Sequence, residues 1–176
     1  ALSKPMARAS EADFEITADH EKHWASFPLT RLRPEQMAAG IYQATSLTTI
    51  DARAHIIQKL TQFGMVNDFV KRYGDVGENE FVTRSSTVTQ RLILLNGKMV
   101  KERLRGQSSP SRLQLLNRDD LKAIETAYLC VYTRRPDQEE LEYFSNRFRQ
   151  HEGKRLDVSQ DIFWELLNGH EFAWNH

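Results

Sequence analysis

The chain has 176 residues, 40% of them hydrophobic and 27% charged, a composition that suits one globular domain with a sizeable core and is not that of a disordered or membrane protein. Its 24 Lys and Arg balance 24 Asp and Glu, so no global field draws in nucleic acid or an anionic membrane. No apolar run nears the roughly 18 residues that a membrane span needs, so no membrane insertion is expected.

Residues 1–30 are polar and lack sustained periodicity, with Pro5 and Pro28 near either end. They read as an irregular arm, with one helical turn near Ala18–Trp24. A helical domain over 31–176 follows. Pro34 suits a first helical position and Glu35 complements the dipole there, after which Met37, Ile41 and Ala44 line one face. Ala52–Phe63 predicts a second helix, with Ile56, Leu60 and Phe63 on its buried side and Gly64 as its stop. Asn67 then caps a short continuation through Phe69, Val70 and Tyr73 that ends at Gly74.

Val88–Arg105 predicts a further helix, because Val88, Leu92, Leu95 and Met99 recur at helical spacing while most charges keep off that stripe. The breaker cluster from Gly106 to Arg112 opens a loop, 106–116, that is a natural subdomain boundary. Asn117 serves as an N-cap before Leu121, Ile124, Tyr128 and Val131. Pro136 opens the next helix, with Asp137, Glu139 and Glu140 in its first turn and Leu141, Phe144 and Phe148 on its buried face. Gly153 stops it. Asp157 or Ser159 starts the last helix, where Val158, Ile162, Phe163, Leu166 and Leu167 form a wide apolar face. With no period-two alternation, the expected fold class is all-α, a single domain of about six helices.

The acidic stretch FVKRYGDVGENEF, Phe69–Phe81, is the first place to look for chemistry. Its carboxylates Asp75, Glu78 and Glu80 miss the calcium-loop template, which needs ligands at alternating positions and a closing bidentate Glu. Local chemistry favours a solvated turn whose acids pair with Lys71, Arg72 and Arg84. The rival is a carboxylate-based site with Arg84 and Arg91 holding an anionic glycan. His20 and His23 stand three apart, one short of the zinc-protease spacing, and no third ligand is indicated, so no metal is expected. No phosphate-cradling glycine loop and no G-x-S-x-G elbow occurs. The lone Cys130, in the apolar run AYLCVY, is expected to be a buried small hydrophobe. The basic pairs Arg134-Arg135 and Arg103-Arg105 lie near helix C-termini, where cations have a structural use. Phe172 and Trp174 follow the last helix and are expected to fold back onto the core.

Three ordered blocks resemble one known family. They are Thr89-Gln90-Arg91-Leu92 with Leu94-Leu95-Asn96-Gly97, then Tyr128 through Arg134-Arg135-Pro136 to Glu140, and Asp161 through Asn168 with Glu171-Phe172. Together they are similar to the planctomycete cytochrome-c-associated C-terminal domain of unknown function, the PSD-one type, over about residues 30–176. The resemblance implies a domain from the C-terminal part of a large exported protein that also carries haem-c modules. The chain opens on Ala1 without a signal-peptide pattern, so a fragment of a longer protein, or a processed form, is expected. It has no C-x-x-C-H, so neither covalent haem nor any other cofactor is expected in this chain. The family supplies no catalytic residues. The expected function is a non-catalytic accessory domain that docks to other domains of its parent protein, with polysaccharide as a second partner class and nucleic acid excluded. Candidate binding residues are Asp75, Glu78, Glu80, Arg84, Gln90, Arg91 and Asn96. Gln90 and Asn96 are read as polar groups buried at a helix junction.

Overall fold

A computed structural model describes residues 7–8, 19, 22–23, 26–27, 31–46, 53–73, 94–95, 98–105, 119–151 and 153–174. Among them six α-helices carry the fold, as the periodicity predicts: α1 (Pro34–Ala44), α2 (Ile56–Tyr73), α3 (Lys98–Arg105), α4 (Asp120–Tyr132), α5 (Gln138–Gln150) and α6 (Arg155–Asn168). A 3-10 turn at Glu171–Ala173 closes the described chain. Among the described residues, extended pairing is limited to a parallel ladder of Ala7–Arg8 with Ser26–Phe27 and one bridge between Arg31 and Trp174. Segments of two residues are too short to carry a strand period, which is why the ladder leaves no mark in the sequence.

Three of the helix starts follow from their end chemistry. Pro34 occupies the first position of α1, and Gln36 Oε1 accepts from the Arg33 amide. Asp119, not Asn117, caps α4 by accepting from Leu121 N at 3.1 Å. Asp137 and Glu140 form a reciprocal capping box at α5, with bonds of 2.8 and 2.9 Å. Pro136 therefore precedes the cap and does not open the helix. Beyond α5, Gly153 adopts φ +86°, a left-handed turn that favours glycine.

The core brings α1 against α2 and α4, α4 against α5 and α6, and α3 against α6. Its contributors from α1 and α6 are the predicted ones: Met37, Ile41 and Ala44 on one, Val158, Ile162, Phe163, Leu166 and Leu167 on the other. Expectations for α2 and for Cys130 fail as well. Helix α2 starts at Ile56, runs unbroken through Gly64, and buries Phe69 while leaving Ile56, Leu60 and Phe63 in water. Periodicity marks apolar faces, and α2 has two of them, only one of which meets α1. Cys130 is exposed, because α4 turns Ala123, Ile124, Ala127, Tyr128 and Val131 inward and presents Leu129 and Cys130 to solvent.

Candidate functional site

The residues singled out in the sequence, Asp75, Glu78, Glu80, Arg84, Gln90, Arg91 and Asn96, all lie outside the described residues. So do Val88, Asn117 and the 106–116 loop. The densest polar chemistry that is described sits at the C-terminal junction, where the end of α4 meets the start of α5 and the 3-10 turn.

Arg134 is the hub. Just after α4, Thr133 takes φ 58° and turns the chain so that the Arg134 guanidinium faces two carboxylates. Nε and Nη2 donate to Glu171 at 2.6 and 2.7 Å, and Nη1 and Nη2 donate to Glu140 at 2.8 Å each. Both carboxylates are thus held in bidentate fashion by a single planar fork. The guanidinium carbon lies 5.3 and 5.5 Å from the ring centroids of Tyr128 and Tyr132, within cation–π range. The hydrogen bonds from Arg134 hold the Glu140 carboxyl below its usual range, and the same contacts push the guanidinium pKa up. Burial and the neighbouring carboxylate push both tyrosine hydroxyls above the ordinary phenol value, so Tyr128 and Tyr132 stay neutral donors.

Tyr132 has a second task. Its hydroxyl donates to Leu166 O at 2.8 Å, satisfying a carbonyl at the C-terminal end of α6. A Cβ on Gly169 would stand 2.2 Å from that hydroxyl, so the approach is possible only with glycine there. Downstream, Phe172 folds into the core as expected and reaches α1, where Gly40 gives its ring room; a Cβ on Gly40 would lie 3.3 Å from the ring. Leu32 N donates to Ala173 O at 2.9 Å, which ties the chain leading into α1 to the 3-10 turn. One short segment therefore binds α1, α4, α5 and α6 together.

Two other arginines are used in the same way. Arg103, on α3, donates from Nε to Thr45 Oγ1 at 3.0 Å and from Nη2 to Ser46 Oγ at 2.8 Å, with its guanidinium 4.2 Å from the Tyr42 centroid. It thereby places a cation at the negative end of α1. Arg147 on α5 bonds Glu165 and, at 3.4 Å, Asp161, joining α5 to α6. Arg103 and Arg134 thus have the structural use expected of them, but in tying neighbouring elements together and not at the ends of their own helices.

A cleft of about 390 Å³ opens beside the junction, lined by Leu94, Leu95, Leu167, Asn168, Phe172 and Trp174 among others. Trp164 Nε1 reaches Leu95 O at 3.4 Å along this side, and Asn168 Nδ2 donates to Trp164 O, leaving the buried Asn168 Oδ1 facing no protein donor. That one acceptor defines no ligand class.

The Glu140 and Glu171 oxygens are engaged by Arg134, and no group of three or more His, Cys, Asp or Glu among the described residues could hold a metal ion. Although its residue is exposed, partial burial of the Cys130 thiol pushes its pKa up. His23 is exposed, with Nδ1 at 2.8 Å from Asp19 O, and His20 lies outside the described residues. Among the described residues no helix is long and apolar enough to cross a membrane. No family model matches the chain, and neither a curated protein nor a solved structure matches it.

Proposed function

We propose that the chain is a non-catalytic helical interaction domain of a larger, exported bacterial protein whose other modules include haem-c domains. In this reading it holds no cofactor of its own, and its partners are domains of the parent protein. The observation that carries the reading is the outward side of α2, where Ile56, Ile57, Leu60 and Phe63 are each about two-thirds exposed. Contiguous apolar surface of this kind on a soluble domain marks a place where another surface sits. The use of Arg103, Arg134 and Arg147 to pin helices together supports the same reading.

The exported, haem-associated setting rests on the resemblance of the three sequence blocks. Their meeting in space supports treating them as one folding unit: Arg134 and Glu140 of the second block hold Glu171 of the third, and Trp164 of the third touches Leu95 of the first.

Calorimetric titration of the chain with neighbouring domains of its parent protein, beside affinity electrophoresis through a sulfated polysaccharide, tests the proposal. The expected result is domain binding with a negative heat-capacity change and unretarded migration. Polysaccharide retardation that disappears in Arg84→Ala/Arg91→Ala, with no heat from any domain, would contradict it and favour the acidic stretch as a glycan site.

A further inference from the structure

Helix α2 carries two apolar faces. Phe69 and the half-buried Val66 face the core, whereas Ile56, Ile57, Leu60 and Phe63 recur at i, i+1, i+4 and i+7 well around the helix from them. A helix that is apolar on two sides is normally covered on both. Nothing among the described residues covers the second.

We infer that the occupant of this face is α2 of a second copy of the chain, laid antiparallel across a twofold axis through Leu60. The inference rests on the interaction-domain reading, and the parent-protein domain it assigns to this surface is the same domain of a second copy.

Three features argue for this occupant. The first is shape. In an antiparallel pair centred on Leu60, position i faces position 120 − i, so Ile57 meets the partner helix's Phe63 position, Leu60 meets Leu60, and Ile56 meets Gly64. Gly64 is exposed in the middle of the helix with open space where a Cβ would be. The smallest side faces a branched aliphatic, and the stripe is complementary to itself, as an isologous contact requires.

The second is area. The four side chains leave roughly 500 Å² open on each copy, so closing two copies buries on the order of 1,000 Å², about the threshold for a specific interface. The third is charge. A parallel pair in register would set Lys71 and Arg72 against their own copies, whereas the antiparallel pair separates these two and opposes the two helix dipoles favourably. It also places Arg53 near the Asp68 end of the facing helix.

Such an interface, small and without further anchors, gives a reversible dimer and not a permanent one. The consequence for the parent protein is pairing of two long chains through this domain, with the C-terminal junction held away from the contact.

Sedimentation equilibrium of the chain, over a concentration series from about 1 µM to about 1 mM, is the first arm of the test. The average mass is expected to climb from 20.5 kDa toward twice that value. Leu60→Glu is expected to hold the monomer mass throughout, with a helical circular dichroism spectrum and dilute melting curve like those of the parent. Should that variant fold poorly, Phe63→Gln serves in its place. In the second arm, single cysteines are oxidised in a Cys130→Ser background. Leu60→Cys lies on the axis and is expected to form a disulfide-linked dimer readily. Asn67→Cys stands about 20 Å from its copy by helical rise in this register and is expected to stay reduced. A monomer mass at every concentration would overturn the inference, and so would cross-linking of Asn67→Cys at the rate of Leu60→Cys. Neither result bears on the titration with parent domains, so the failure of one reading is distinguishable from failure of the other.

Discussion

Helices α6 and α2 begin from the same signal, large apolar residues at helical spacing, and end in opposite environments. On α6, Val158, Ile162, Phe163, Leu166 and Leu167 are all buried, and the segment that follows is fastened by Arg134, Tyr132 and Gly40. On α2, Ile56, Leu60 and Phe63 face water. Periodicity states that a face needs covering and is silent about what covers it. In α6 the cover is the rest of the chain. For α2 we argue that it is another molecule.

Among changes that add an atom, the comparison can be broken most severely at Gly169. Gly169→Ala drives a methyl into the Tyr132 hydroxyl, so the ring must leave and its bond to Leu166 O is lost. Urea unfolding is expected to show about 2–3 kcal/mol of lost stability, the usual range for overpacking with a broken hydrogen bond. The same change at Gly64, on the open side of α2, meets nothing and is expected to be neutral or slightly stabilising to the monomer, because alanine is the better helix former.

Arg134→Met comes next. It leaves Glu140 and Glu171 facing each other without their cation. Both carboxylates are about a quarter exposed and the arginine more than a third, so the cost falls between exposed and buried pairs, about 2 kcal/mol. Glu171→Gln in the same background is expected to recover part of it, and a double-mutant cycle in urea reads the coupling.

The smallest effect is in pH. Because Arg134 depresses the folded-state pKa of Glu140, the contribution of that carboxylate is complete above the unfolded carboxyl's value of about 4.3 and is lost as pH falls through the lower folded one. The melting temperature of Glu140→Gln is therefore expected to lie below that of the parent chain at pH 7 and to converge on it as the pH falls below the depressed folded-state value. A difference that persists undiminished in acid would remove the ion pair from the account.

Much of the architecture was legible because it is local. Pro34 and Glu35 announce α1, Asp137 and Glu140 stand at capping-box spacing, and the α6 stripe is wide enough to leave no other face for the core. The junction was legible only as separate words. Arg134 and Glu171 are 37 positions apart, and nothing in either neighbourhood says that one guanidinium serves two carboxylates. The resemblance placed Arg134, Glu140 and Glu171 within conserved-looking blocks without assigning them to each other. Cys130 was misplaced because an apolar run on a helix still has two sides. The acidic stretch from Asp75 to Glu80, singled out first, lies outside the described residues, so the polar chemistry seen here is of another kind and in another place.

The most direct test sets two phenylalanines side by side. Phe172 is 7% exposed and Phe63 is 67% exposed. Urea unfolding of Phe172→Ala and Phe63→Ala, at protein concentrations low enough to keep the chain monomeric, is expected to give a loss of about 3–4 kcal/mol for the first and a change within about 0.5 kcal/mol for the second. Equal losses at the two positions would contradict the account, because the outer face of α2 would then already be covered within the single chain.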